Sequence, residues 1–161
     1  MIKPDTLMSD NNKHHHQLKE PSNWVKRFAP LIYQKGPVLD LAAGGGRNGR
    51  FLLERGHQVT FIDLHTETLK DLLPHPETTI IKADLENGAD WPLHKNFTGI
   101  IVVNYLHRPL FEKIFNALET GGFLIYETFA RGHEAFNRPR NPDHLLKSGE
   151  LLQMVSGKMQ V

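Results

Sequence analysis

The feature that most constrains this chain is a rhythm in which short apolar runs close on a polar residue and then give way to helical spacing. Val38–Ala42 is apolar apart from Asp40 and runs into Gly44-Gly45-Gly46. Val59–Ile62 is closed by Asp63, Thr79–Ile81 runs into Asp84, and Gly99–Val103 ends at Asn104. Phe123–Phe129 makes a fifth run. Between the runs, Phe51, Leu52 and Leu53 follow the glycine turn, and two groups have the spacing of a one-faced helix: Leu69, Leu72 and Leu73; and Phe111, Ile114, Phe115 and Leu118. Pro109 opens the last of these helices and Gly121-Gly122 closes it. Strands alternating with helices, and nearly all apolar, predict an α/β fold with a mainly parallel, doubly wound sheet in the order 3-2-1-4-5.

With 161 residues the chain has material for one domain with a single core. Residues 1–20 are polar and aperiodic, which predicts an N-terminal arm without fixed structure, so His14, His15 and His16 lack the rigid scaffold a metal site needs. The domain is expected over residues 21–161. It begins with a helix at Pro21-Ser22-Asn23 that presents Trp24, Phe28, Leu31 and Ile32 on one face and is kinked or ended by Pro30. The absence of cysteine excludes disulfides, thiolate catalysis and thiolate-bound metal, and suits a reducing cytoplasm. Charge is balanced, 19 basic against 18 acidic residues, with no basic stripe of the kind that marks a nucleic-acid partner. The longest apolar runs fall far short of the roughly 20 residues of a membrane helix.

Open α/β sheets bind ligands at the carboxyl ends of their strands. Asp40, Asp63 and Asp84, at the ends of three successive strands around one glycine turn, are harder to explain as isolated turn formers than any one of them alone. Asp63 stands 19 positions after Gly44, where a carboxylate can accept the two hydroxyls of a ribose. Gly44-Gly45-Gly46-Arg47-Asn48-Gly49 also fits the G-x-G-x-x-G pattern of dinucleotide sites, so NAD is an alternative ligand and an NAD-linked oxidoreductase an alternative function. Two features argue against it. Asp40 lies inside the first strand, where dinucleotide folds seldom carry an acid, and Arg47 in the turn suits a carboxylate that NAD lacks.

Taken together, these motifs resemble those of class I S-adenosylmethionine-dependent methyltransferases, with their Rossmann-like sheet. The likeness rests on acid-x-x-x-Gly-x-Gly from Asp40 to Gly46, the acid after the second strand, and Ala83-Asp84-Leu85 after the third, and it spans about residues 36–130. Ala42 stands where the family's first glycine is usual. A narrower similarity, to a bacterial branch akin to tellurite-resistance and thiopurine-type methyltransferases, is carried by several runs. They are Pro21-Ser22-Asn23-Trp24, Trp91-Pro92-Leu93, Asn104-Tyr105-Leu106-His107-Arg108-Pro109-Leu110, Tyr126-Glu127-Thr128-Phe129, and Asn141-Pro142-Asp143 to Gly149-Glu150-Leu151. The resemblance implies S-adenosyl-L-methionine as cofactor and methyl transfer to a small molecule. Asp40 and the Gly44–Gly46 loop would hold the methionine end, Asp63 the ribose, and Asp84 and Leu85 the adenine, with Asn104 near the sulfonium and the acceptor; Ala42, Arg47 and Leu64 complete the expected cofactor-binding residues. It also implies two further strands beside the fifth. Met159-Gln160-Val161 at most begins one, so the chain is expected to be a C-terminally truncated piece whose fifth strand is an open edge prone to self-association.

A methyl sulfonium is already activated, so a base is needed only if the acceptor must lose a proton. Tyr105, His107 and Arg108 are the acceptor-side candidates, with His107 either a base or a surface residue at a helix start. The loop from Phe129 to Pro142, with Arg131, His133, Arg138 and Arg140, reads equally as a lid over a polar acceptor or as a solvated charged segment. A domain that binds S-adenosyl ligands without turnover is a further alternative.

Overall fold

The computed structural model of the chain describes residues 20–161. The arm expected over residues 1–20, with its three histidines, lies outside the described residues except for Glu20. Five strands, β1 (Pro37–Leu41), β2 (Gln58–Asp63), β3 (Thr78–Lys82), β4 (Phe97–Val103) and β5 (Leu118–Glu127), form one parallel sheet in the order β3-β2-β1-β4-β5. The expected order is therefore the observed one. β1 lies at the centre, with Leu41 level with Ile62 of β2 and Val102 of β4.

Because side chains alternate along a strand, the sheet sorts its apolar residues into two layers. Val38, Val59, Phe61, Ile101, Val103 and Ile125 face one side. There they meet Val25, Ala29 and Ile32 from α1 (Asn23–Phe28) and the 3₁₀ turn after it, Leu52 and Leu53 from α2 (Arg47–Leu53), and Leu69 from the 3₁₀ turn Glu67–Leu72. Leu39, Leu41, Ile62, Ile100 and Val102 face the other side, against Leu93, Leu110 and Ile114, the last from α3 (Phe111–Asn116). A smaller cluster of Leu106, Phe111 and Leu146 packs with Leu151 and Met154 of α4 (Glu150–Val155).

Four local expectations are corrected. The helix opened by Pro109 ends at Asn116, and Leu118 belongs to β5, not to the helix face. The amide of Phe97 donates to the carbonyl of Ala117 at 2.8 Å and draws the chain into the sheet directly after the helix. Gly121-Gly122 then lies within β5 where the pairing with β4 shifts register, with Gly121 at φ 80°. The third helical segment facing the sheet buries Leu69, but Leu73 is exposed.

The fourth correction concerns α1. Ser22 caps this helix, its hydroxyl accepting from the amides of Trp24 and Val25 at 3.0 and 3.4 Å. The buried face is Val25, Ala29 and Ile32, whereas Trp24 is 46% and Leu31 53% exposed. The expected face assumed 3.6 residues per turn through Ile32, but the helix ends at Phe28 and tightens into a 3₁₀ turn containing Pro30. Among the described residues no helix is long and apolar enough to cross a membrane. The corrected face predicts that Ile32→Ala lowers stability by about 3 kcal/mol, while Leu31→Ala costs under about 1 kcal/mol, read from urea unfolding curves.

Candidate functional site

The carboxyl end of β1 passes into a turn in which Ala42, Gly44 and Gly46 all have positive φ, 53°, 57° and 74°. Ala42 thus takes up the left-handed geometry that glycine supplies at lowest cost, and its methyl group carries a penalty of about 1 kcal/mol. What fixes this turn is Asp40. It is 2% exposed, and its Oδ2 accepts from the amide of Gly49, in the first turn of α2, at 2.8 Å. A Cβ on Gly49 would sit 2.2 Å from the Phe61 ring and 2.8 Å from that same Oδ2. Gly49 is therefore required by packing rather than by ligand approach. Burial raises the Asp40 carboxyl to about 7, a shift opposed by the Gly49 amide and by nearby Arg47.

Asp63, at the end of β2, braces the other side of the turn. Its Oδ2 accepts from the amide of Gly44 and its Oδ1 from that of His65, each at 2.8 Å. Each oxygen keeps a further lone pair for a ligand hydroxyl. Arg50, which the sequence did not mark out, is a strut for the same turn. It pairs bidentately with Asp71 at 2.6 and 2.7 Å and donates to the carbonyls of Gly45 and Thr68. The two partners hold each other charged, raising the guanidinium and lowering the carboxyl.

Along the rim, Asp84 and Leu85 line a cleft of about 180 Å³ with Trp91, Leu110 and Lys113. Asp84 accepts from the Glu86 amide through Oδ1 at 2.9 Å. Leu64 is exposed beside Asp63. Asn104 follows β4 with φ 59°, its amide donating to the carbonyl of Glu127 at 2.8 Å. Arg47, half-buried, gives Nη1 to the carbonyl of Glu20 at 2.8 Å. The fold therefore brings Asp40, Ala42, Gly44, Gly46, Arg47, Asp63, Leu64, Asp84, Leu85 and Asn104 to the carboxyl ends of four adjoining strands. A second cavity, of about 370 Å³, is apolar, runs along β5, and is lined by Trp24, Phe28, Phe123, Ile125 and Leu151, away from the glycine turn.

The acceptor-side candidates fare unequally. Arg108 is committed elsewhere: it pairs with Glu150 at 2.6 Å and donates to the carbonyls of Asp143 and Leu145, stapling residues 143–150 to the end of β4. Tyr105 keeps its hydroxyl buried without a hydrogen-bond partner among the described residues. Burial first, then the Glu86 carboxylate, pushes that phenol far above its ordinary range, so it stays protonated. His107 is half-exposed in extended backbone ahead of the turn that leads into α3. The loop after β5 is closed at its neck, where Leu146 donates to Phe129 and Arg131 to Leu146, both at 2.9 Å. Arg131, Arg138 and Arg140 are exposed on it.

Glu127 and Asn48, both at the rim, were not marked out as site residues by the sequence. The Glu127 carboxylate, at the end of β5, accepts from the Ser22 hydroxyl, and the amide of Ser22 donates to Oδ1 of Asn48 at 2.9 Å. Ser22 was legible as a helix start, but not as a link spanning 105 positions to Glu127.

No protein-family model matches the chain, and no curated protein matches it. Solved structures do. The glycopeptide N-methyltransferase MtfA complexed with sinefungin is 25% identical, over 76% of this chain and 59% of that one, with a TM-score of 0.56. Its complex with S-adenosyl-L-homocysteine is 28% identical over 71% of this chain and 54% of that one, with a TM-score of 0.53. TehB from Haemophilus influenzae is 20% identical over 81% and 48%, with a TM-score of 0.64, and shares the fold. The chain spans a little over half the length of the MtfA structures. Its fold is that of class I methyltransferases.

The buried Asp40 generates a prediction with a definite sign. Its folded pKa, about 7, lies above the ordinary 3.8, so the folded state binds the extra proton between those values. The contribution of this group to stability is therefore full near and below pH 4, declines as pH rises to about 7, and is lost above it, a change on the order of 4 kcal/mol. Asp40→Asn should remove this slope, read as the difference between wild-type and variant urea midpoints from pH 4.5 to pH 8.

Proposed function

We propose that the chain is an S-adenosylmethionine-dependent methyltransferase acting on a small-molecule acceptor. The observation that carries this reading is the glycine turn clamped between two strand-end carboxylates, Asp40 on Gly49 and Asp63 on Gly44, in a chain similar to structures complexed with S-adenosyl-L-methionine and S-adenosyl-L-homocysteine. The donor set fits the cofactor. A left-handed turn lets backbone approach an adenosyl group closely, Asp63 has lone pairs for a ribose, and Asp84 and Leu85 border a cleft at the end of β3.

In this reading Asp40, Ala42, Gly44, Gly46 and Arg47 hold the methionine end, Asp63 and Leu64 the ribose, and Asp84 and Leu85 the adenine, with Asn104 beside the reacting end. The bound cofactor supplies an activated methyl group on a sulfonium. The residues of the chain bind and orient it, and alignment alone can lower a barrier by several kcal/mol. On the acceptor side His107 remains the candidate base, because Tyr105 stays protonated and Arg108 is spent on Glu150. A cysteine-free chain with no basic stripe suits a cytoplasmic enzyme of small molecules rather than of nucleic acid.

Titration calorimetry should show binding of S-adenosylmethionine and S-adenosylhomocysteine and none of NAD. The reverse pattern would overturn the proposal. Asp63→Asn keeps an acceptor oxygen for the turn but removes the charge, and should weaken S-adenosylhomocysteine by about tenfold or more. An unchanged affinity would leave Asp63 as a brace for the turn alone.

A further inference from the structure

A continuous hydrogen-bonded path crosses the rim from β1 to β5. Asp40 holds the amide of Gly49, its neighbour Asn48 holds the amide of Ser22, and the Ser22 hydroxyl donates to Glu127. Since β4 lies between β1 and β5, residues 20–22 form a strap that passes the end of β4, where Asn104 sits. The strap engages two charges. Arg47 reaches its Glu20 carbonyl, and Glu127 reaches its Ser22 hydroxyl two residues on. Neither charged group has an ion pair among the described residues, and they do not pair with each other. Both are half-buried, where an uncompensated charge is costly. A cation and an anion kept apart on neighbouring positions of one strap match a ligand that carries an anionic and a cationic group on one carbon.

We infer that Arg47 and Glu127 are a zwitterion cradle, Arg47 for the carboxylate and Glu127 for the ammonium of the cofactor's amino-acid end, with Ser22 the residue that positions Glu127. The inference rests on the S-adenosyl reading above and assigns Glu127 a binding role in it. Ser22 fixes the carboxylate, and the Asn48 bond ties that position to the glycine turn, so the two halves of the cradle are held in one frame. When the ligand binds, Arg47 exchanges the Glu20 carbonyl, or adds to it through its remaining donors.

The test compares two ligands that share the adenosyl group. S-adenosylhomocysteine carries the amino-acid end and methylthioadenosine lacks it. Glu127→Gln retains an oxygen for the Ser22 hydroxyl and removes the charge, and Arg47→Gln probes the other half independently. Calorimetry on the full chain should show each variant losing about tenfold in affinity for S-adenosylhomocysteine, as expected for a charge-assisted hydrogen bond, with methylthioadenosine changed less than about twofold. Affinities for both ligands falling together would show a general disturbance of the site and overturn the cradle. So would an unchanged affinity for S-adenosylhomocysteine in Glu127→Gln. A wild-type chain that binds neither ligand would be the separate failure of the S-adenosyl reading, seen before any variant is made.

Discussion

One buried hydrogen bond, from the amide of Gly49 to Asp40, sets the terms for the rest of the molecule. A carboxylate in the central strand of a sheet is expensive, and only a partner from the chain itself makes it tolerable. The partner chosen is the backbone of the helix that follows, so the entry of α2 is fixed relative to β1. The close approach requires a residue without a side chain at Gly49 and places the Phe61 ring against it. It also forces the intervening turn through three residues of positive φ, one of them an alanine. The rim inherits its geometry from that bond: Asp63 can reach Gly44, and Arg50 can reach Gly45, because the turn is already in place.

The sheet distributes labour along this rim by strand order. β1, β2 and β3 bring the glycine turn and three carboxylates to one half, while β4 and β5 bring Asn104 and Glu127 to the other. The halves are joined by the backbone bond from Asn104 to Glu127 and by the strap through Ser22. Arg108 performs a similar service further out, where its pair with Glu150 secures the segment behind the basic loop. Charged residues that a sequence offers as chemistry are here divided between ligand-facing groups and struts. The division is decided by whether a partner lies within reach.

Much of this was legible in the sequence because it depends on local pattern. Five apolar runs, the turn between Asp40 and Gly49, and the acid closing β2 are written in consecutive residues, and parallel α/β topology leaves few arrangements for them. Where the pattern failed, a long-range contact had overridden it. Leu118 kept helical spacing with Phe111, yet the amide of Phe97 captured the carbonyl of Ala117 and made Leu118 a strand residue. Trp24 and Leu31 lay on the expected face only if the helix ran unbroken past Pro30. Arg108 looked free because Glu150 is 42 positions away, and Glu127 was unmarked as a site residue because its partner Ser22 stands at the far end of the chain.

That distance has a kinetic consequence. The contacts that shape the glycine turn close short loops: Asp40 to Gly49 spans 9 positions and Gly44 to Asp63 spans 19. The strap bond from Ser22 to Glu127 spans 105. Chain entropy must be surrendered before distant contacts repay it, so local pairings precede remote ones when a chain collapses. The half of the rim built on β1 and β2 is thus the part a growing chain completes early, and the clasp at β5 must wait until the chain has reached Glu127, about three quarters of the way along the described residues.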